Sequence, residues 1–246
     1  MRFTYIIGYR HTPDRLENLK AVLKWLKNFD CEVIIVESDL ESKIDLLSDF
    51  EFKHVLVKNN FPYNRSWCYN VGYKMAETEY LVFGDADLIL EIDAINSSVN
   101  SLKEFDCVNP YNTVLDLNDW ETSKFLEDGS IDFLRTINKP GRTGTNMCGG
   151  LVMFTKSGFE KIGGWNEEFW GWGAEDDFMT IKVEFFLKYS SLGYKCYHLN
   201  HVKSSIDRNL YFRNLNLLNQ AKNTPKENFV PYMEKVINYI GETEKK

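Results

Sequence analysis

Apolar and polar positions along the chain follow two periods. FTYIIGY (3–9), CEVIIVE (31–37), HVLVK (54–58) and YLVFGD (80–85) are short runs rich in β-branched and aromatic residues, the pattern of buried strands. Between the first two, Leu16, Leu19, Val22, Leu23 and Leu26 recur at helical spacing behind Pro13, a residue suited to a first helical turn. A short helix is predicted near 42–49 and a longer one over about 65–77. Strands separated by such helices predict a parallel sheet with right-handed crossovers, whose ligands sit beyond the strands' carboxyl ends. The second half is less regular. A helix near 92–104 precedes residues 110–147, which are polar and rich in Asn, Thr, Gly and Pro and read as a long, partly mobile excursion. GGLVMFT (149–155) predicts a strand, Ser157 to Ile162 a short helix, Glu175 to about Tyr189 a longer helix, and YKCYHL (194–199) a last strand. Beyond Ser205 the chain reads as helical. There Phe229, Met233, Val236, Ile237 and Ile240 form one apolar stripe, taken as a packing face because the tail is not notably basic.

A length of 246 residues suggests between one and two domains, expected here as one large α/β unit over 1–205 with a helical extension, 206–246, packed on it. Thirty-six acids against twenty-nine bases leave a net charge of −7, which argues against a broad nucleic-acid surface. Five cysteines, scattered, odd in number and never spaced Cys-x-x-Cys, read as reduced thiols rather than a disulfide framework or zinc ribbon. No run approaches the ~18–20 apolar residues of a membrane span, and no apolar signal core follows Arg2, so a cytoplasmic location is expected.

Three places carry chemistry. Asp85 and Asp87 end a buried strand, two residues apart, so in an extended segment both carboxylates face one side and suit a hard divalent cation. The plain alternative is a turn with solvated acids. Trp170-Gly171-Trp172-Gly173-Ala174-Glu175-Asp176-Asp177 is more specific. Its acids could simply cap a helix, but capping does not explain indoles on a glycine-articulated loop, which supply flat platforms for sugar rings. A carboxylate beside such a platform can accept hydroxyl hydrogen bonds or act as a base. His198 and His201 end the last predicted strand. If that strand lies beside Asp85, His201 completes a mixed carboxylate and imidazole site that suits manganese better than calcium.

IIGYR (6–10), YNRSWCYNVGY (63–73), FGDADLI (83–89), CGGLVMFTKSGFEKIGGWNEEFWGWGAEDDF (148–178) and His201 together resemble the β1,4-galactosyltransferase family. These are metal-dependent, inverting transferases of the GT-A fold, a Rossmann-like, mainly parallel central sheet flanked by helices. The resemblance runs in order to about residue 205. It implies that Tyr9, Arg10, Tyr63 and Arg65 border a uridine diphosphate pocket, with Asp85 facing the nucleotide and Gly150 beside the donor. Asp87 and His201 would bind Mn²⁺ or another divalent cation, and His198 falls where the vertebrate lactose-type enzymes carry a methionine ligand. Trp172 would lie under donor and acceptor sugars, Glu175 would hold the donor sugar, Asp176 would be the base, and Asp177 would help seat the acceptor. Met147 stands where galactose-specific relatives carry a tyrosine, which points to acceptance of N-acetylgalactosamine.

There are departures. Thr12 replaces a frequent second arginine, which leaves diphosphate binding to the metal or to another base such as Arg15, and residues 88–148 are longer than the corresponding family stretch. The implied function is transfer of a hexose or N-acetylhexosamine from a UDP-sugar to a hydroxyl of a glycan acceptor. A lipid-linked acceptor would bring the protein to an inner membrane face. The rivals are a catalytically silent glycan-binding module and a metal-dependent nucleotidyltransferase.

Overall fold

The computed structural model describes residues 1–202 and 205–229. The chain opens with strand β1 (Phe3–Tyr9), helix α1 (Pro13–Leu26), strand β2 (Cys31–Asp39), a 3-10 turn at Ile44–Leu47 and strand β3 (Lys53–Lys58). Helix α2 (Arg65–Met75) leads into β4 (Tyr80–Gly84), β5 (Leu88–Leu90) and α3 (Ile92–Ser101). Next come β6 (Cys107–Asp116), α4 (Asp119–Asp128), α5 (Ile131–Thr136) and the short β7 (Arg142–Thr143). The remainder is β8 (Leu151–Thr155), α6 (Lys156–Lys161), α7 (Glu175–Phe186), β9 (Tyr189–His198) and α8 (Arg208–Lys222).

Local chemistry sets these boundaries. Pro13 opens α1 behind an extended Thr12, and the Asn64 side chain accepts from Trp67 N at 2.8 Å to start α2. Along β1, Tyr5 and Ile7 enter one core cluster while Ile6 enters another, so the sheet is covered on both faces. Strand order is β3-β2-β1-β4-β8-β6-β9-β5, with β7 beside β6. The first four strands are parallel, as the alternating pattern predicts. From there the sheet is mixed: β8 runs antiparallel to β4 and β6, β6 and β9 are parallel to each other, and β5 is antiparallel to β9.

That order forces a curl. Between β4 and β5 lie four strand spacings of about 4.8 Å, some 19 Å if flat. The chain from Gly84 to Leu88 spans at most about 14 Å. The sheet therefore bends until its far edge returns beside β4, and Asp85 and Asp87 occupy the seam.

The stretch 110–147 is not the irregular, partly mobile excursion its composition suggests. It holds the end of β6, two helices and β7. Its polar residues are caps: Asn118 and Glu121 form a reciprocal capping box on α4, and the Ser130 side chain accepts from Phe133 N at 3.1 Å on α5. Phe125 and Leu134 are buried beneath them. The last strand also begins at Tyr189 rather than near 194, and α7 correspondingly stops at Phe186. Residues 189–195 alternate between exposed and half-buried, and this weak apolar signal hides a strand that pairs with β6.

All five cysteines are free, and all but Cys31 are buried. Helix α8 packs on α7 through Phe178, Leu218 and Ala221, and Phe229 joins this cluster; Met233, Val236, Ile237 and Ile240 of the predicted stripe lie outside the described residues. Among the described residues no helix is long and apolar enough to cross a membrane.

Candidate functional site

Two clusters of charged side chains hang from the seam, one on each of its aspartates. The first is centred on Arg65, in the first turn of α2. Its Nη1 lies 3.1 Å from Asp85 Oδ1, its Nη2 lies 3.0 Å from Glu175 Oε1, and Nη2 also donates to Asp176 Oδ1. Tyr69, one helical turn beyond Arg65, donates its hydroxyl to Asp85 Oδ1 at 3.0 Å. Burial works against the charge on Arg65, but Asp176, Asp85 and Glu175 outweigh it and keep the guanidinium protonated. Burial pushes the Asp176 carboxyl up to about 8; Arg65 pulls it down, while Glu175, Asp85 and Asp177 add to the rise. Arg65 Nε and Glu175 Oε2 are buried without a hydrogen-bond partner.

The second cluster is centred on Asp87, which is 4% exposed. His201 Nε2 lies 3.3 Å from Asp87 Oδ2, Arg15 Nη1 lies 3.7 Å from the same oxygen, and His198 Nε2 lies 3.8 Å from Oδ1. Each imidazole has its other nitrogen on an acceptor: His198 Nδ1 on Asp116 Oδ1 at 2.9 Å, His201 Nδ1 on the Val202 carbonyl at 3.0 Å. Each of these acceptors calls for a proton on Nδ1, and both Nε2 atoms face Asp87. One carboxylate and two imidazoles, with ligand atoms within 4.8 Å of one another, fit a divalent cation that takes both oxygen and nitrogen ligands, such as manganese or zinc. Burial raises the Asp87 carboxyl, with Asp85 adding and His198, Arg15 and His201 opposing.

The wall joining the clusters comes from β8 and the loop before it. Asp85 N donates to Gly150 O at 2.9 Å, and Tyr111 donates its hydroxyl to Gly149 O. Gly150 has φ +70°, and a Cβ there would fall 2.7 Å from Leu88 and 2.8 Å from the Tyr111 hydroxyl, so only glycine fits. Met147 is buried in this loop, its carbonyl held by Asn109 Nδ2 at 2.8 Å.

The aromatic loop forms the opposite side. Trp170 is half-buried against Phe61 and Trp67, whereas Trp172 is 62% exposed. Tyr211 of α8 stacks on Trp172 at 5.6 Å and 29°, and its ring packs so close to Gly173 (φ +102°) that a Cβ there would lie 3.1 Å away. Asn214 Nδ2 donates to Trp170 O at 2.9 Å, further fixing the loop to α8. Ala174, at φ +76°, is the one non-glycine residue with positive φ among the described residues, and it directly precedes Glu175. Such strain is stored where it aims functional groups. Asp177 is half-buried on the same first turn of α7.

Of the residues expected at a nucleotide pocket, Tyr9 and Arg10 lie at the carboxyl end of β1, and Tyr63 and Arg65 lie at the start of α2. Tyr9 is buried, with its hydroxyl 3.0 Å from His11 Nδ1, so its side chain belongs to the core. Arg10 lies over the Tyr63 ring at 5.8 Å and donates to the carbonyls of Ser38, Phe61 and Asn59, stitching the 59–63 turn to β2. Sequence reasoning missed Tyr69, Tyr111, Asp116, Arg142 and Tyr211. Tyr69 carried a signal, its position four residues after Arg65; the others depend on tertiary pairing.

The family model described as the N-terminal domain of galactosyltransferase matches residues 135–203. Beta-1,4-galactosyltransferase 5 of Danio rerio is 28% identical over 141 residues, covering 55% of this chain and 30% of that protein, so the match spans less than a third of the relative's length. Among solved structures, S. aureus TarS 1-349 superposes with a TM-score of 0.60 at 14% identity, over 96% of this chain and 69% of that one. A Drosophila β-1,4-galactosyltransferase 7 variant, in complex with manganese, UDP-Gal and xylobiose, superposes with a TM-score of 0.53 at 13% identity, over 86% and 79% of the two chains. At these identities the structures establish the shared fold.

Proposed function

We propose that this chain, similar to galactosyltransferases and sharing the GT-A fold, is an inverting transferase that moves galactose or N-acetylgalactosamine from a UDP-sugar to a glycan hydroxyl. One observation carries the reading. A single two-residue turn joins a candidate metal-ligand set, Asp87 with His198 and His201, to a half-buried acid cluster containing Asp176, four residues after the exposed Trp172.

In this reading Asp176 is the base. A carboxyl raised to about 8 is a far stronger proton acceptor than an ordinary carboxylate, and it takes the acceptor hydroxyl proton as the oxygen attacks the anomeric carbon. Attack on the face opposite the leaving diphosphate converts an α-linked donor into a β-linked product in one displacement. Glu175 Oε2, buried and unpartnered, accepts a donor-sugar hydroxyl. Arg65 holds Asp85, Glu175 and Asp176 in one arrangement and offers positive charge to the donor. Trp172 presents its ring to the acceptor. A divalent cation held by Asp87, His198 and His201 would supply Lewis-acid stabilisation of the departing diphosphate. Met147, lacking a tyrosine's bulk and flexible, leaves room for an N-acetyl group. Residues 1–205 form the catalytic unit, and α8 braces its aromatic loop.

The test is UDP release across UDP-galactose, UDP-N-acetylgalactosamine and UDP-glucose, with Mn²⁺ and a panel of glycan acceptors. Acceptor-dependent UDP release that stops on chelation supports the reading. Pyrophosphate release, or acceptor binding without turnover, refutes it.

A further inference from the structure

The segment that resisted sequence reading supplies a second layer of contacts to the histidine turn. Leu117 N donates to His198 O at 2.9 Å, and Asn200 N donates to Thr122 Oγ1 at 2.8 Å. The Asn200 amide also donates to Asp119. From the other side, Asn18 Nδ2 donates to Asn200 O at 3.1 Å and Val202 N to Asp14 Oδ2 at 2.6 Å. The backbone between the two histidines is therefore held by α1, by α4 and by the residue that follows β6.

One of these contacts reaches an imidazole directly. Asp116 ends β6, and its Oδ1 faces His198 Nδ1 at 2.9 Å. The same carboxylate is gripped by Arg142 through Nε on Oδ2 and Nη2 on Oδ1 at 2.5 and 2.8 Å. Arg142 stands there because β7 returns to pair with β6, Val114 opposite Arg142. The whole 117–141 detour thus closes on a bidentate carboxylate–guanidinium pair, a planar and geometrically specific contact. Asp116 and Arg142 are respectively 48% and 60% exposed, so the pair contributes little to the core.

We infer that Asp116 and Arg142 are positioning residues for the metal site: Arg142 fixes the Asp116 carboxylate, which fixes the ring orientation and tautomer of His198 so that Nε2 meets the cation held by Asp87. This rests on the metal-site reading above. Outer partners of this kind are typically worth about 10–100-fold in metal affinity.

The experiment is a Mn²⁺ titration of the full chain followed by electron paramagnetic resonance, with pulsed measurement of the imidazole nitrogens coupled to the ion. The wild type is expected to show two coupled nitrogens. Asp116→Ala is expected to weaken Mn²⁺ binding about 10–100-fold and to lose one coupled nitrogen, with an unchanged melting temperature. Asp116→Asn keeps an acceptor for Nδ1–H and is expected to retain both nitrogens and most of the affinity. Arg142→Ala, which leaves Asp116 in place, is expected to give an intermediate loss, and it tests the pair even if Asp116→Ala does not fold. Unchanged Mn²⁺ affinity in Asp116→Ala, while Asp87→Ala loses binding, would overturn this inference alone. So would equal losses in Asp116→Ala and Asp116→Asn. A wild-type chain that does not bind Mn²⁺ would overturn the metal-site reading as well.

Discussion

Asp85 and Asp87 are two residues apart and keep opposite company. Asp85 meets a guanidinium and a phenol from α2, while Asp87 meets two imidazoles, one from the last residue of β9 and one from the turn after it, with Arg15 as its nearest fixed cation at 3.7 Å. The Arg65 cluster carries its own positive charge and ties together three acids. The Asp87 cluster gathers two imidazoles around one acid, a ligand set that an added cation would join. Two neighbouring carboxylates thus take different roles because the curled sheet brings different strands to each. In the proposed reading one side serves proton transfer and sugar contact, and the other holds a metal.

That division can be broken from either side. The largest effect is expected from Asp87→Ala, or from chelation of the wild type. Loss of Lewis-acid stabilisation worth several kcal/mol should lower UDP release by about 10³-fold or more, with the Arg65 cluster and the melting temperature nearly intact. A variant that keeps full activity in excess EDTA contradicts the assignment.

On the other side, Asp176→Asn should lower turnover by at least about a hundredfold, because Asn keeps the size but not the basicity. The same residue sets the pH dependence. With its carboxyl raised to about 8, the base form disappears as pH falls, so kcat/KM of the wild type should drop about tenfold per unit below that value. A flat profile between pH 6 and 8 would detach Asp176 from the rate-determining proton transfer.

Smaller effects sharpen the picture. Trp172→Ala should raise the acceptor KM about tenfold, the equivalent of about 1.4 kcal/mol of lost ring contact, and raise the donor KM by less. Met147→Tyr should shift donor preference several-fold toward UDP-galactose, roughly the discrimination of one filled pocket volume. An unchanged ratio of the two donors would remove Met147 as the selector.

Much of this was legible in the chain. Strong apolar runs announced β1 to β4, and the Trp-Gly-Trp-Gly-Ala-Glu-Asp-Asp segment stood out as a candidate site because its tryptophans exceed what capping needs. What escaped had a physical reason. Asn118, Glu121 and Ser130 look like loop residues until they are seen satisfying helix ends. The exposed alternation of β9 gives a strand little apolar signature. The separate fates of Asp85 and Asp87 follow from a curl of the whole sheet, which no local window contains. The Asp116–Arg142 contact joins residues 26 positions apart through a two-residue strand. Tyr211 reaches Trp172 only because α8 packs on α7.

The most direct test of the two-cluster account is Mn²⁺ affinity measured alongside turnover in Asp176→Asn. The account predicts that binding stays at the wild-type level while UDP release falls at least about a hundredfold, the reverse of the binding loss expected in Asp87→Ala. Turnover above a tenth of wild type, or a loss of Mn²⁺ binding that parallels the loss of turnover, would contradict it.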